Sequence, residues 1–194
     1  MKVINGKTNC AIDFKPVFEQ LNNELVRIGR TLDLICAGGY VMQLHGYRAT
    51  ADVDAFYKSD AELDVLIKKV GDNFRINKPD ELWLNNSIAN MNPEPPEEYI
   101  KTVYKFSNLT VYAVEIIYLI GMKLVSIREQ DLKDVGTILK NDSNEQPFDL
   151  LSKLVGMGFS IDISSVLDAY ESAYGILWLD EFYSNNQDEM RNYF

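Results

Sequence analysis

The sequence predicts a mixed α/β fold of the α+β class, in which helices flank a small mixed sheet and the C-terminal half is helical. Three observations predict this fold: a short apolar run that ends at paired glycines, apolar residues that alternate with polar ones in two later segments, and helical periodicity through the last third of the chain. The 194 residues are enough for one core with an appended half. We place an α/β core at 1–112 and a helical region packed on it at 113–194.

Helix caps and the periodicity of apolar residues predict the first secondary-structure elements. A helix is predicted to begin near Asp13, which can cap it, and to end at Gly29. The apolar run 31–37 stops at the Gly-Gly pair 38–39, as a buried strand followed by a sharp turn would. Residues 40–46 then predict a short helix.

Acidic and apolar residues alternate in the segment that follows. This pattern over 51–57 predicts a strand with Asp52 and Asp54 on one face and apolar residues on the other. A helix is expected over 60–71, with Asp60 as its cap and a terminal glycine as its stop.

The middle of the chain fits no single period. We predict a helix and then a proline-rich loop over 80–100, and two strands over 103–108 and 109–114 around a turn. A buried helix is predicted over 115–128. Further helices are expected over 131–140, 147–157 and 163–174, and near the C-terminus.

Charge and composition exclude several classes of protein. The net charge of −10 opposes sequence-independent binding to nucleic-acid phosphates, and the single histidine argues against a histidine-based metal site. The longest apolar run, 116–122, is too short to cross a bilayer, so no membrane partner is expected. The first 13 residues lack the pattern of a signal peptide, and only Cys10 and Cys36 are present, which predicts a cytoplasmic protein.

The glycine pair and the aspartate pair carry the functional prediction. Two aspartates at i and i+2 of a strand lie about 7 Å apart on one face, near enough to share a cation such as Mg²⁺. Gly38 and Gly39 would let the backbone come close to a polyphosphate and present N–H groups at the start of a helix. The order strand, glycine turn, helix and Asp-x-Asp strand therefore indicates a phosphate and metal site.

The stretch GGYVMQLHGYRATADVD resembles the signature of the nucleotidyltransferase superfamily, a Gly-Gly or Gly-Ser turn followed by an Asp-x-Asp strand. Within it, Arg48, Thr50, Asp52 and Asp54 form an Arg-x-Thr-x-Asp-x-Asp arrangement similar to that of AbiEii-type toxins and related uncharacterised nucleotidyltransferase-like proteins. The later stretch EIIYLIGMKLVSIREQDLKDV resembles the lysine-bearing helix of the same group and its downstream Arg and Asp residues. The resemblance covers about residues 32–57 and 109–135.

This resemblance implies transfer of a nucleoside monophosphate from a nucleoside triphosphate to a hydroxyl of RNA or protein, with release of pyrophosphate. It implies that Asp52 and Asp54 are catalytic and bind Mg²⁺ or Mn²⁺, and that an antitoxin is a possible partner. The phosphate contacts that it implies involve Gly38, Gly39 and Lys123, to which we add a fork-like contact from Arg48 and a loop-orienting hydroxyl from Thr50.

One departure from the family leaves alternatives open. Many active members carry a third carboxylate on the strand after Asp-x-Asp, whereas residues 109–114 contain none. Glu115 is the nearest substitute and is our third catalytic candidate, with Asp131 or Asp134 available if the helices fold back. A catalytically degenerate module that binds a nucleotide or a protein is the alternative, followed by a scaffold whose aspartate pair is only surface charge.

Several other residues have simpler structural interpretations. Cys36 suits a small buried residue, and His45 a packed or solvated one. Lys123 could instead lie at the edge of an apolar helix with its ammonium group in solvent. The pairing of Arg128 with Asp131 is expected at the surface.

Overall fold

The computed structural model describes residues 11–126, 128–142 and 145–193. The chain divides into two compact units, one ending at Glu115 and the other beginning at Ile116. Among the described helices, none has the length and apolar character needed to cross a membrane. Most of the first 13 residues, including Cys10, lie outside the described residues.

The first unit contains the sheet, and the predicted fold class is confirmed. Its elements in chain order are α1 (Lys15–Ile28), β1 (Leu32–Cys36), α2 (Gly38–Leu44), β2 (Val53–Phe56), α3 (Ala61–Phe74), β3 (Leu84–Asn85), β4 (Ile100–Lys105) and β5 (Leu109–Val114). Two short 3-10 turns, Ser87–Asn90 and Glu97–Tyr99, lie between β3 and β4.

The sheet is mixed, with strand order β3-β2-β1-β5-β4. At its centre, Cys36 of β1 pairs with Ala55 of the antiparallel β2 and with Ala113 of the parallel β5. β3 runs parallel to β2, and β4 runs antiparallel to β5. The end of β1, the start of β2 and the end of β5 therefore lie at the same edge of the sheet.

Helices α1 and α3 pack on one face of this sheet and form the core of the first unit. The strand residues on that face alternate with those on the second face, as a pleated strand requires. The buried apolar residues of this core include Val17, Phe18, Leu21 and Leu25 of α1, Leu34 and Cys36 of β1, Val53 and Ala55 of β2, and Leu63, Ile67 and Val70 of α3. By the strand register, the second face carries Asp33, Ile35, Asp54, Phe56 and Tyr112.

The second unit is helical, as the sequence predicts. Its helices are α4 (Ile116–Ser126), α5 (Glu129–Asp142), α6 (Pro147–Gly156), α7 (Ile163–Tyr174), α8 (Ile176–Asn185) and α9 (Gln187–Met190). α5 packs against α7, and both bury apolar side chains in the core of this unit.

Local capping signals explain where α1 ends and where α3 begins. Gly29 ends α1 in the left-handed conformation, with φ of 66°, and the Asp60 carboxylate caps α3 by accepting a hydrogen bond from the Leu63 N–H at 3.0 Å. Both predictions are confirmed. The predicted stop at Gly71 is wrong: α3 continues to Phe74 and is capped at Arg75, which adopts the left-handed conformation with φ of 57°. Gly71 instead makes room for the side chains of Asn77 and Trp83, with which a Cβ would collide.

Within 80–100, the predicted helix is also wrong, whereas the proline-rich loop predicted after it is confirmed at 93–96. In place of the helix are β3, the two 3-10 turns and connecting loops. The Val53 N–H donates to the Trp83 carbonyl at 2.7 Å, and the Trp83 indole N–H donates to the Ile67 carbonyl at 2.9 Å. These long-range hydrogen bonds and the burial of Trp83 fix an extended segment that no local period indicates.

Candidate functional site

Strand pairing brings the glycine turn and the aspartate pair to one edge of the sheet. The Ala37 N–H, directly before the glycines, donates to the Asp54 carbonyl at 2.9 Å. The loop from α2 to β2 adds three more polar residues beside them. We call this group the Gly-Asp site; its members are Gly38, Gly39, Arg48, Thr50, Asp52 and Asp54.

The two glycines allow polar side chains to approach the main chain closely. Gly38 has φ of 57°, and a Cβ at this position would lie 2.8 Å from Asp54 Oδ2. A Cβ on Gly39 would lie 2.5 Å from Thr50 Oγ1 and 3.3 Å from Arg48 Nη1. Larger residues would therefore push the carboxylate and the hydroxyl away from the turn.

Asp52 lies just before β2 rather than within it, so the predicted strand is shorter than 51–57. Its Oδ1 atom is 3.1 Å from the Thr50 hydroxyl, which can donate to it. The Thr50 N–H in turn donates to Gln43 Oε1 at 2.9 Å, and Gln43 Nε2 donates to the Ile12 carbonyl at 2.7 Å. Gln43 therefore anchors the loop that positions Asp52, a role that sequence reasoning missed because the amide lies on α2 and carries no motif signal.

A second residue missed from the sequence is Lys78. Its ammonium donates to Asp52 Oδ2 at 2.7 Å and to Glu81 Oε2 at 2.6 Å. These hydrogen bonds raise the pKa of Lys78 above its usual value. Lys78 is 26 residues from Asp52 in the chain, between the predicted helix over 60–71 and the segment 80–100, so only the tertiary structure reveals the contact.

The donor atoms of the Gly-Asp site suit a hard divalent cation that keeps several water or phosphate ligands. Asp52 and Asp54 supply carboxylate oxygens, and a lysine ammonium already lies against one of them as a cation would. Within residues 11–126, 128–142 and 145–193, no cluster of three or more His, Cys, Asp or Glu side chains could form an all-protein metal site. Two carboxylates fit Mg²⁺, which usually binds through one or two carboxylates together with substrate phosphates.

Strand β3, beside Asp54, carries an amide rather than a third carboxylate. In the chain, β3 is the strand that follows Asp-x-Asp, and it places Asn85 directly opposite Asp54.

Glu115 lies away from Asp54. It follows β5, which lies two strands from β2, or about 10 Å at the usual strand spacing. The Glu115 carboxylate pairs with the Lys101 ammonium at 2.7 Å. Ala113 shares a face with Ala55, so alternation places Glu115 on the face opposite Asp54. A catalytic role for Glu115 stays a prediction without support from the register.

Lys123 forms a buried ion-pair network in the second unit. Its ammonium donates to Asp131 Oδ1 at 2.7 Å and to Asp134 Oδ2 at 2.6 Å. Gln130 donates to the other oxygen of Asp134 at 2.9 Å. Lys123 is only 6% exposed, so the interpretation with its ammonium in solvent does not hold. Its contact with a phosphate stays a prediction.

The predicted surface pairing of Arg128 with Asp131 is correct in its partners and in the exposure of Arg128, whose side chain is 69% exposed, but Asp131 is buried. Arg128 Nε donates to Asp131 Oδ2 at 2.7 Å, and Ser126 donates to the same oxygen at 2.9 Å, while Asp131 is only 2% exposed. Burial acts to raise the pKa of Asp131, but the hydrogen bonds from Arg128 and Lys123 outweigh it, and the pKa is lowered. Helix α5 turns this carboxylate into the unit, which the sequence spacing did not reveal.

Cys36 and His45 have the structural roles expected of them. The Cys36 side chain is fully buried, and its burial raises the pKa of the thiol, which therefore remains protonated. The His45 ring is exposed and stacks on Tyr47, with 5.7 Å between the ring centroids.

A cleft of about 510 Å³ lies on the second face of the sheet. Its lining residues are Asp33, Ile35, Phe56, Tyr57, Lys58, Ala89, Asn92, Pro93 and Glu94. Phe56 follows Asp54 at i+2 on the same face of β2, so the cleft lies on the face that carries Asp54, farther along the strand. Its lining combines apolar side chains with polar and charged ones, and its volume lies in the range of small-molecule sites.

A glycine turn packed against an Asp-x-Asp segment, at one edge of a mixed sheet, defines a nucleotidyltransferase-like protein. The family model DUF6036, described as "Nucleotidyltransferase of unknown function", matches residues 13–171, and the chain belongs to this family. No curated protein and no solved structure matches the chain. The closer resemblance to AbiEii-type toxins stays a prediction.

Replacement of Gly39 by alanine tests the close approach of Thr50. We expect Gly39→Ala to lower the free energy of unfolding by about 1–3 kcal/mol, because the new Cβ would collide with the Thr50 hydroxyl. Urea denaturation followed by circular dichroism measures the loss. Gly156→Ala is the control, since a Cβ there would meet no side chain within 4 Å, and as a helical position it should keep its stability or gain up to about 1 kcal/mol. Equal effects of the two substitutions would contradict the packing argument.

Replacement of Lys123 by methionine tests the buried network. We expect Lys123→Met to destabilise the protein by about 3–5 kcal/mol, because it removes the buried cation that two buried carboxylates share. Adding Asp131→Asn and Asp134→Asn should recover part of the loss in urea denaturation. Lys133→Met, which removes an exposed pair with Glu129, should cost less than about 0.5 kcal/mol. A loss for Lys123→Met no larger than this control would show that the network contributes little.

The lowered pKa of Asp131 predicts a pH dependence of stability. Its contribution is fully present above the unfolded pKa, near the ordinary value of 3.8, and is lost as the pH falls through the lower folded pKa. The difference in unfolding free energy between the wild type and Asp131→Asn should therefore be largest above about pH 5 and should shrink toward pH 2. Urea denaturation across this range measures it, and a difference that grows on acidification would have the wrong sign.

Proposed function

We propose that this protein is a Mg²⁺-dependent nucleotidyltransferase that moves a nucleoside monophosphate from a nucleoside triphosphate to a hydroxyl of RNA or protein. One observation carries the proposal: Gly38 and Gly39 have no room for side chains because Asp54 and Thr50 lie against them. This packing sets the glycine main chain against the Asp54 carboxylate and against Thr50, which hydrogen-bonds to Asp52. A metal-bound triphosphate requires main-chain donors and carboxylates close together in this way. Membership of the family is consistent with it.

The residues of the Gly-Asp site have distinct roles in this proposal. Asp52 and Asp54 would hold Mg²⁺ or Mn²⁺, which would stabilise the attacking and leaving oxygens during displacement at phosphorus. The main chain of Gly38 and Gly39 would bind the triphosphate, and the Arg48 guanidinium could add a fork-like contact with it. Thr50, held by Gln43, orients the Asp52 carboxylate.

The cleft on the second face is suited to the nucleoside rather than to the phosphates. Ile35 and Phe56 give it apolar surface, while Asp33 and Glu94 make it unfavourable for a polyphosphate. Its volume of about 510 Å³ lies in the range of small-molecule sites. The base would therefore lie along β2, with the phosphates toward the glycines.

Asn85 favours a second candidate, a protein that binds nucleotides without transferring them. An amide stands opposite Asp54 on the strand that follows Asp-x-Asp, and unlike a carboxylate it cannot act as a base. Such a protein would bind a metal-bound triphosphate through the same residues and release no pyrophosphate.

Calorimetric titration with ATP, GTP, CTP and UTP, with and without Mg²⁺, tests the proposal. We expect binding of one triphosphate that requires Mg²⁺ and weakens more than about 100-fold in Asp52→Ala/Asp54→Ala, because both carboxylate ligands are lost. Asp168→Ala/Asp180→Ala is the matched control, since these two carboxylates are exposed in the second unit and should leave binding unchanged. Absence of binding to all four by folded protein would contradict the proposal.

Transfer is measured separately with an α-labelled triphosphate and total cellular RNA and protein as acceptors. Label on either acceptor, together with released pyrophosphate, supports the transferase. Binding without label or pyrophosphate favours the second candidate. The Arg-x-Thr-x-Asp-x-Asp arrangement further supports a toxin whose expression arrests growth unless an antitoxin is present, and harmless overexpression of folded protein would contradict that part.

A further inference from the structure

The segment after α3 holds Lys78 beside the Gly-Asp site by hydrogen bonds on both sides. On one side, Asn77 donates from Nδ2 to the Lys68 carbonyl at 2.8 Å and accepts from the Trp83 N–H at 3.1 Å. On the other, the Lys78 N–H donates to the Glu81 carbonyl at 3.0 Å and closes a tight turn. The backbone of Lys78 is thus fixed, and its ammonium reaches Asp52 from an ordered base.

Both carboxylate oxygens of Asp52 are engaged. Lys78 donates to Oδ2 at 2.7 Å, and the Thr50 hydroxyl lies 3.1 Å from Oδ1. A divalent cation that binds Asp52 must therefore displace the ammonium or tolerate its positive charge a few ångströms away. The side chains of Lys78 and Asp52 are 45% and 23% exposed, so water screens the repulsion only in part.

We propose that Lys78 is a resident counter-ion of the Gly-Asp site, and that its ammonium competes with a divalent cation for the Asp52 carboxylate. The inference deepens the proposed function and rests on it for the identity of the metal site. In the absence of metal, Lys78 offsets the charge of Asp52 and orients its carboxylate. When a metal arrives together with a triphosphate, the displaced ammonium gains phosphate oxygens as new acceptors, whereas a metal alone offers it none.

Lys78 is therefore a positioning residue whose effect depends on the ligand. Its charge weakens the binding of a bare metal ion and favours the binding of a metal accompanied by phosphates. An ordinary surface ion pair would have neither effect, because its loss would change only stability, by about 0–1 kcal/mol.

Mn²⁺ binding to the full chain, measured by the paramagnetic resonance signal of the free ion, tests the competition without any activity assay. We expect Lys78→Met to bind Mn²⁺ alone about tenfold more tightly than the wild type, from removal of one nearby positive charge. Lys78→Arg keeps the charge and should retain the weak binding of the wild type. Lys133→Met is the matched control, since it removes an exposed lysine paired with Glu129 in the second unit and should not alter Mn²⁺ binding.

The second measurement repeats the titration with Mn²⁺ and inorganic tripolyphosphate, which needs no knowledge of the preferred base. With tripolyphosphate present, Lys78→Met should no longer bind Mn²⁺ more tightly than the wild type, because the phosphates no longer have the ammonium as a donor. Thermal unfolding of each variant confirms that the compared proteins are folded. Mn²⁺ affinity that is unchanged or weaker in Lys78→Met would overturn the inference, as would equal gains with and without tripolyphosphate.

Failure of this inference is distinguishable from failure of the proposed function. If the wild type binds a nucleoside triphosphate with Mg²⁺ and loses it in Asp52→Ala/Asp54→Ala, the proposed function survives whatever Lys78→Met does. If Lys78→Met gains Mn²⁺ affinity that Asp52→Asn in the same background removes, the competition at Asp52 is supported. That result would stand even where no triphosphate binds and the proposed function fails.

Discussion

The antiparallel pairing of β1 with β2 is the constraint on which the candidate site depends. Because Cys36 pairs with Ala55, the end of one strand lies beside the start of the other. The hydrogen bond from the Ala37 N–H to the Asp54 carbonyl then sets the glycine turn against the aspartate segment. Without this register the two motifs would be separate, and neither alone would indicate a site.

Charge balance is the second feature that the site requires. Two carboxylates held near each other repel unless a cation lies between or beside them. In the first unit Lys78 supplies that cation to Asp52, and in the second unit Lys123 supplies it to two buried carboxylates. Lys78 is partly exposed and Lys123 is buried, so the two lysines differ in whether another cation can replace them. A partly exposed ammonium can be exchanged for another cation, whereas a buried one is part of the packing.

The family likeness and the departure from it both concern the residues around Asp54. The Gly-Gly turn, Thr50 and Asp54 form the compact arrangement that the nucleotidyltransferase resemblance implies. Opposite Asp54, however, stands the amide of Asn85. A phosphate site needs donors and a metal, while transfer also needs a group that accepts the proton of the acceptor hydroxyl, so the two candidate functions differ at the position of Asn85.

The sequence by itself determined the fold class, the glycine turn, the Asp-x-Asp segment and helix signals such as Gly29 and Asp60. Each of these depends on residues close together in the chain, where backbone preference and capping act directly. Tertiary structure alone decided the conformation around Trp83, the role of Lys78, and the burial of Asp131. These depend on hydrogen bonds and packing between distant segments, whose energies exceed local propensity and leave no periodic signal in the sequence.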